Sequence, residues 1–274
     1  MKISIIIPVG DIDQWQVCEK SINESVLAAE GGSVAFEVLP CFDLEHSGAF
    51  NARNEGLAKA KGDWIAWVDC DDIVECDWAK GIADAVIAHP DADIIQFDTF
   101  ENWDGNVKLV AYRYKGTVDG EAFAHELLRN DGMPAWLWTR VVKRKLFNGV
   151  YFEGRVKHDY GMFLKILPQV KSVWSIGKPL YHYMRNGKGL SAYAQQMDYA
   201  VAGAGFEKSI ATLPSAWRHD ANVGLALTMA DVARYSRCEN GSRQFVRKYM
   251  WQVICDWKVP FRLKVKTILA AMSL

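Results

Sequence analysis

The sequence lacks several features that would settle its class quickly. No Gly-x-Gly-x-x-Gly loop and no Gly-x4-Gly-Lys-Ser/Thr loop follows an apolar run, which argues against the common phosphate-loop nucleotide enzymes. The six cysteines (Cys18, Cys41, Cys70, Cys76, Cys238 and Cys255) form no Cys-x-x-Cys pair and have no zinc-type histidine spacing. They therefore indicate neither a zinc knuckle nor a disulfide framework, and read as reduced, mostly buried thiols. No apolar stretch approaches transmembrane length. Met1 to Val9, interrupted by Pro8 and closed by Gly10-Asp11, is too short for a secretory leader, so the expected location is the cytoplasm. Charge of one sign is also lacking: 32 Lys and Arg face 33 Asp and Glu, a formal net charge of −1. Such a chain has no overall field to attract nucleic acid, and any electrostatic function must be local.

What is present is apolar: half of the 274 residues are hydrophobic, enough for a sizeable core and for one domain with an appendage or two small domains. Ile3 to Val9 is a β-branched run without alternation, the pattern of a strand buried on both faces of a parallel sheet. Trp15, Cys18, Ile22 and Val26 recur at helical spacing over Gln14 to Leu27. Phe36 to Phe42 reads as a second strand. Ser47-Gly48 opens a helix through Ala49, Ala52, Leu57 and Ala60, which Gly62 stops in the position after the cap, and Trp64 to Val68 forms a third strand. A helix over Asp77 to Ala88 and a strand over Ile94 to Thr99 follow. Asp104 to Asn106 reads as a hairpin turn, with a helix near Glu121 to Leu128 and a Trp-rich stretch from Pro134 to Trp138. From Gln195 the pattern is helical with a break at Pro260, and a soft boundary near Ala194 divides 1–194 from 195–274.

Alternating strands and helices imply right-handed crossovers in a mostly parallel sheet, whose ligands sit beyond the carboxyl ends of the strands. The first strand ends at Pro8-Val9-Gly10-Asp11, the second at Asp43, and the third at Asp69-Cys70-Asp71-Asp72, so the acids gather at one edge. Three carboxylates in one turn repel each other unless a cation joins them. Mg²⁺ or Mn²⁺, held by one or two carboxylates and substrate phosphates, resolves the conflict. A solvated acidic turn with Asp72 as a helix N-cap fits the same spacing.

ISIIIPVGD, CEKSINES, FEVLPCFD, GAFNARNEGLAKAKGDWIAWVDCDD, YFEGRVKHD and LYHYMRNGKGLS resemble, in order, the landmarks of family 2 glycosyltransferases over about residues 1 to 191. The resemblance implies a GT-A (Rossmann-like) fold, a mostly parallel sheet sandwiched by helices, with the helical C-terminal region as an appendage. It makes 1–194 the nucleotide-sugar-binding and catalytic domain. It implies an inverting hexosyl transfer from a nucleoside-diphosphate sugar, most readily a UDP-sugar, to a hydroxyl of a glycan or lipid-linked acceptor, as in bacterial surface polysaccharide or glycolipid synthesis. Pro8 and Val9 resemble the turn beside the base, with Asp11 (in Gly10-Asp11, where the family usually has Tyr-Asn) counted in the donor site. Asp43 resembles the carboxylate that contacts the pyrimidine, and Arg53 the Ala-Arg-Asn arginine near the donor. Asp69 would face ribose or donor sugar, and Asp71, the second Asp of the DxD motif, would hold Mn²⁺ or Mg²⁺. Asp159 matches the general base, with His158 where the family has Glu. Arg185 falls in a segment that reaches the diphosphate or a lid, as do His158 and His182, which also read as ordinary structural histidines. Trp136 and Trp138 match the floor of the acceptor pocket, where aromatic faces pack on sugar rings; core packing is the alternative for Trp138.

Arg243 to Leu274 interleaves Arg243, Arg247, Lys248, Lys258, Arg262, Lys264 and Lys266 with Phe245, Tyr249, Trp251, Trp257, Phe261, Ile268 and Leu269. Such a segment either lies on an anionic membrane as a peripheral contact or buries its aromatic face on the protein. A second class of function also fits the chain, a non-catalytic binding or partner subunit that keeps the fold with a degenerate donor site.

Overall fold

The structure is a computed structural model that describes residues 1–43, 48–129, 133–154, 157–185, 199–235 and 241–272. The Ser47 helix start, Arg155 and Val156 of YFEGRVKHD, Asn186 to Ser191 of the last landmark, the Ala194 boundary and Cys238 lie outside the described residues.

Strand β1 (Lys2–Val9) buries Ile3, Ile5, Ile6 and Ile7 completely. It pairs in parallel with both β2 (Ala35–Phe42) and β3 (Trp64–Trp67), so neither edge nor face is left to water. Helix α1 (Ile12–Ala28) leads to β2, and α2 (Ala49–Lys59) returns the chain across β1 to β3. The strand order therefore reverses at β1, the point beside which open α/β sheets place their ligands.

Strand β4 (Ile73–Val74) and helix α3 (Trp78–Ala88) follow the acidic turn. Two serines of α1 hold them: Ser21 Oγ accepts the Val74 N–H at 3.3 Å, and Ser25 Oγ accepts the Ala79 N–H at 2.9 Å. The Ser25 bond satisfies a first-turn donor of α3 in place of a cap by Asp77. Strand β5 (Ile94–Trp103) turns at Asp104 and Gly105, with φ of 50° and 75°, into β6 (Asn106–Val110), a hairpin at the expected place. The later strands are β7 (Gly116–Asp119), β8 (Arg140–Lys143) and β9 (Ser172–Met184). The sheet order is β2-β1-β3-β8-β5-β9-β4. β1, β2, β3, β5 and β9 share one direction, and β8 and β4 run against them, which makes the sheet mixed but mostly parallel.

Gly62 does not end α2 in the left-handed conformation the sequence pattern anticipates. Ala60 caps that helix in an extended conformation, and Gly62 is needed because a Cβ there would lie 2.6 Å from the Ser4 nitrogen of β1. Of the described cysteines, Cys18, Cys41 and Cys70 are buried free thiols and Cys76 and Cys255 are exposed.

By internal contacts the chain forms two compact units. One, residues 1–120, 136–152 and 169–189, contains the sheet with α1, α2 and α3. The other, residues 121–135, 153–168 and 190–274, draws two segments from within 1–194 and is helical. It holds α4 (Gly120–Arg129, all but its first residue), α5 (His158–Ile166), α6 (Tyr199–Thr212), α7 (Ser215–Tyr235), α8 (Ser242–Cys255) and α9 (Phe261–Met272). Val223, Ala226 and Leu227 of α7, Val253 of α8 and Val259 form its apolar cluster. Among the described residues, no helix is long and apolar enough to cross a membrane.

Candidate donor site

The acidic turn grows directly out of β3. The Val68 N–H still donates to Ile6 O at 3.2 Å, and the chain then leaves the sheet in a turn closed by the Asp72 N–H on Asp69 O at 3.1 Å. Each carboxylate meets different surroundings. Asp69 Oδ1 accepts from Arg53 Nη2 at 2.6 Å. Arg53 is 3% exposed and lies over the Phe152 ring, 5.9 Å from its centroid. Arg53 is thus no surface helix cation, and its side chain crosses from α2 to the β3 turn. Asp71 is half-buried between its neighbours.

Asp72 is 1% exposed. Its Oδ2 accepts from the Tyr181 hydroxyl at 2.8 Å and its Oδ1 from the Met184 N–H at 2.7 Å, both on β9. It caps no helix. Burial, followed by the Asp69 and Asp71 charges, pushes its carboxyl well above the usual range, against the two hydrogen bonds that favour the anion. Burial likewise holds the Cys70 thiol up at about 11, so the residue between Asp69 and Asp71 adds no charge of its own. The Tyr181 oxygen also accepts the Asp69 N–H at 3.0 Å, which ties both ends of the turn to one phenol. In Leu-Tyr-His-Tyr, His182 stands out as a titratable group, whereas Tyr181 shows only as an aromatic able to enter the core with a hydroxyl to place.

The other expected donor residues border the same edge. Pro8 and Val9 are buried at the end of β1, and the Asp43 N–H donates to Val9 O at 2.8 Å. Asp43 Oδ2 accepts the Gly48 N–H at 2.6 Å. Asp11 caps α1: its Oδ1 accepts from the N–H groups of Asp13 at 2.9 Å and Gln14 at 3.4 Å. Arg185, at the end of β9, pairs with Glu101 at 3.0 Å and lies 4.6 Å from the Trp103 ring centroid. Its described contacts are with the β5 arm and not with the acidic turn. His182 is held between Glu75, at 2.7 Å, and Asn102, at 3.2 Å.

Trp138 cannot present a face to a sugar. It is 3% exposed and stacks on Trp136 at 4.7 Å and on Tyr181 at 4.6 Å. Trp136, at the end of this stack, is half-buried.

Asp159 belongs to the helical unit, in the first turn of α5, with Oδ1 3.3 Å from His158 Nε2. Lys157, with φ of 48°, occupies the cap position, so Asp159 is not the N-cap. His158 is buried.

Among the described residues, the one triplet with candidate metal-ligand atoms within 4.8 Å of each other is His219, Asp220 and Asp256. Arg129 already bridges its two carboxylates, at 2.6 and 2.8 Å.

A mixed sheet whose strand order reverses at its first strand, with an acidic turn beyond the third, defines an open α/β architecture. Residues 41–147 match the model of Glycosyl transferase family 2. The structure superposes on S. aureus TarS 1–349 in complex with UDP-GlcNAc with a TM-score of 0.66 at 16% identity, covering 98% of this chain and 87% of that one. A mannosyltransferase, PcManGT from Pyrobaculum calidifontis in complex with GDP-Man and Mn²⁺, gives a TM-score of 0.51 at 15% identity, with 98% and 85% covered. Glycosyltransferase GlyA of Streptococcus pneumoniae serotype 4 is 22% identical over 237 residues, 76% of this chain but 34% of its own length. The chain has the GT-A fold, and its residues 41–147 are similar to glycosyl transferase family 2.

Proposed function

We propose that the protein transfers a hexosyl group from a nucleoside-diphosphate sugar, a UDP-sugar first, to a hydroxyl of a glycan or lipid-linked acceptor, with inversion at the anomeric carbon. The observation that carries this reading is the Asp69–Asp72 turn at the carboxyl edge of the sheet, fixed by Arg53 on one side and Tyr181 on the other. TarS bound to UDP-GlcNAc and PcManGT bound to GDP-Man with Mn²⁺ have the same fold and support it.

The turn suits a divalent cation. Burial first, and then the Asp69 and Asp71 charges, raise the Asp72 carboxyl, and a cation would relieve the part that comes from those charges. Asp71 is the ligand in this reading, and Mn²⁺ or Mg²⁺ would supply charge neutralisation for the diphosphate. Asp72 acts from inside the turn by fixing its shape, and Arg53 orients Asp69 toward ribose or donor sugar. Pro8, Val9, Asp11 and Asp43 border the base, and Arg185 waits at the end of β9 for the diphosphate. Asp159 accepts the proton of the acceptor hydroxyl as that oxygen attacks the face opposite the leaving diphosphate.

A second reading, a binding subunit with a degenerate donor site, draws on two observations. The Asp11 carboxylate is committed to capping α1, and one oxygen of Asp43 takes the Gly48 N–H.

The deciding experiment screens UDP-, GDP- and dTDP-sugars with Mn²⁺ by calorimetry and by transfer or hydrolysis. Asp71→Ala should abolish metal-dependent nucleotide binding in a folded protein. Asp159→Asn, nearly isosteric but unable to take the proton, should keep donor affinity and lose transfer by roughly 10²- to 10⁴-fold. Unchanged nucleotide affinity in Asp71→Ala removes the metal assignment. Near-parental transfer by Asp159→Asn removes the base, and absence of binding for every nucleotide favours the binding subunit.

A further inference from the structure

The last two helices carry an apolar surface that the protein leaves uncovered. Phe261, Val265, Leu269 and Met272 of α9 are 80%, 37%, 52% and 70% exposed. Their spacing of four, four and three residues places them on one face of the helix, one above the next. The opposite face, with Thr267, Ala270 and Ala271, is the buried one. Two tryptophans that line one cavity are exposed as well: Trp251 on α8, at 67%, and Trp257 in the connection to α9, at 85%. The aromatic residues that do pack inward in this region, such as Phe245 at 4% exposure, are different ones.

Along the segment that carries the stripe the charge has one sign. From Trp257 to Met272 there are four basic residues, Lys258, Arg262, Lys264 and Lys266, and no Asp or Glu. On a helix of 3.6 residues per turn, Arg262 and Lys266 border the stripe on one side and Lys264 on the other. Lys266 pairs with Asp231 of α7, while Arg262 is exposed and Lys264 half-exposed. Lys258 lies 5.9 Å from the Trp257 ring centroid.

We propose that this face docks on an anionic lipid surface, with α9 lying in the plane of the interface. An apolar stripe bordered by cations and accompanied by Trp and Phe fits the boundary between headgroups and acyl chains, where the rings enter and the cations meet lipid phosphates. A second copy of the chain would bring a second set of the same cations, and like charges would face each other across that contact. The inference is independent of the donor site, because the docking needs neither nucleotide nor catalysis.

Co-sedimentation of the full chain with vesicles tests it. The chain should bind vesicles of phosphatidylcholine and phosphatidylglycerol, bind pure phosphatidylcholine far more weakly, and lose binding as salt rises. Arg262→Gln with Lys264→Gln should weaken binding to the anionic vesicles roughly 30-fold, at about a factor of five per cation. Val265→Gln with Leu269→Gln, at exposed positions where the fold has little to lose, should weaken it at least as much. Size measurement by light scattering runs in parallel. Equal binding by the parent and both variants overturns the proposal. So does a parent that is a dimer, becomes monomeric in the apolar variant and ignores vesicles throughout, since the stripe is then a contact between copies.

Discussion

The Tyr181 phenol touches both ends of the acidic turn, accepting from the Asp69 N–H and donating to the buried Asp72 carboxylate. Burial, reinforced by the Asp72 and Asp69 charges, holds its hydroxyl well above the ordinary tyrosine range, so it stays a donor at any working pH. Tyr181→Phe removes both bonds and leaves Asp72 with a buried oxygen short of its donor. The expected cost is about 1–3 kcal/mol, read from the urea midpoint at unchanged slope. Nucleotide affinity should fall by less than in Asp71→Ala, because the phenol shapes the turn and the Asp71 carboxylate is the one proposed to touch the metal. Equal losses would move Tyr181 into the donor site itself. The sequence shows the acids of this turn plainly, since residues that follow an apolar strand must sit at its carboxyl end. It does not show which partner each acid takes. Arg53 reads as easily as a surface cation because its burial depends on Phe152, 99 positions along the chain. Trp138 reads as a sugar platform because spacing cannot reveal that Trp136 and Tyr181 cover it.

At the scale of elements, the opposite end of the sheet is where strands are fastened. Glu37 of β2 accepts from Ser4 Oγ of β1 and from the N–H groups of Lys61 at 2.6 Å and Gly62 at 3.1 Å just before β3, and it pairs with Lys2 at 2.6 Å. Burial would raise its carboxyl, but the bonds from Lys2, Ser4 and Lys61 outweigh it and hold it down at about 2. A carboxylate depressed in the folded state contributes fully above its unfolded value of about 4.3 and loses that contribution as pH falls toward the folded value. Glu37→Gln should therefore cost about 1–3 kcal/mol at pH 7, and its difference from the parent should shrink between about pH 4.5 and pH 2. Denaturation midpoints at pH 7, 5 and 3 check this, and a difference constant across the series would show that the charge plays no part. The strands fastened here, β1, β2 and β3, are also the ones most legible in the sequence, because each is a mostly apolar run, interrupted by no more than Lys2 and Ser4 in β1 and Glu37 in β2. β9 was illegible for the opposite reason. Gly177 and Pro179 interrupt its apolar residues, yet the strand continues past them through a register shift opposite Gln96 to Thr99. β4 has two residues and β8 four, too few for any periodicity.

The whole molecule assigns its proposed tasks unequally. Every residue proposed for the donor, from Pro8 to Arg185, belongs to the sheet unit, whereas Asp159 and the exposed α9 stripe belong to the helical one. The helical unit has its own apolar cluster and its own charged centre, in which Arg129 of α4 donates to Asp220 of α7 at 2.6 Å and to Asp256, just after α8, at 2.8 Å. His125 and His219 add a contact to each of these carboxylates. All three charged side chains are less than a tenth exposed. Burial opposes the Asp256 charge, but hydrogen bonds from Arg129, the Lys258 N–H and His219 hold its carboxyl down at about 2, so it is ionised at neutral pH. Removing the cation leaves two buried anions facing each other without it, a change that costs about 3–5 kcal/mol where a buried pair is broken. Arg129→Ala should accordingly lower the melting temperature by on the order of 10 °C. Well below that melting point, donor affinity in the presence of Mn²⁺ should stay within about twofold of the parent, since less than 0.5 kcal/mol separates values that close. Calorimetry on the same sample reads both quantities. A large fall in affinity from a folded Arg129→Ala protein would show that nucleotide binding draws on the helical unit, and the donor residues proposed for the sheet would then be an incomplete set.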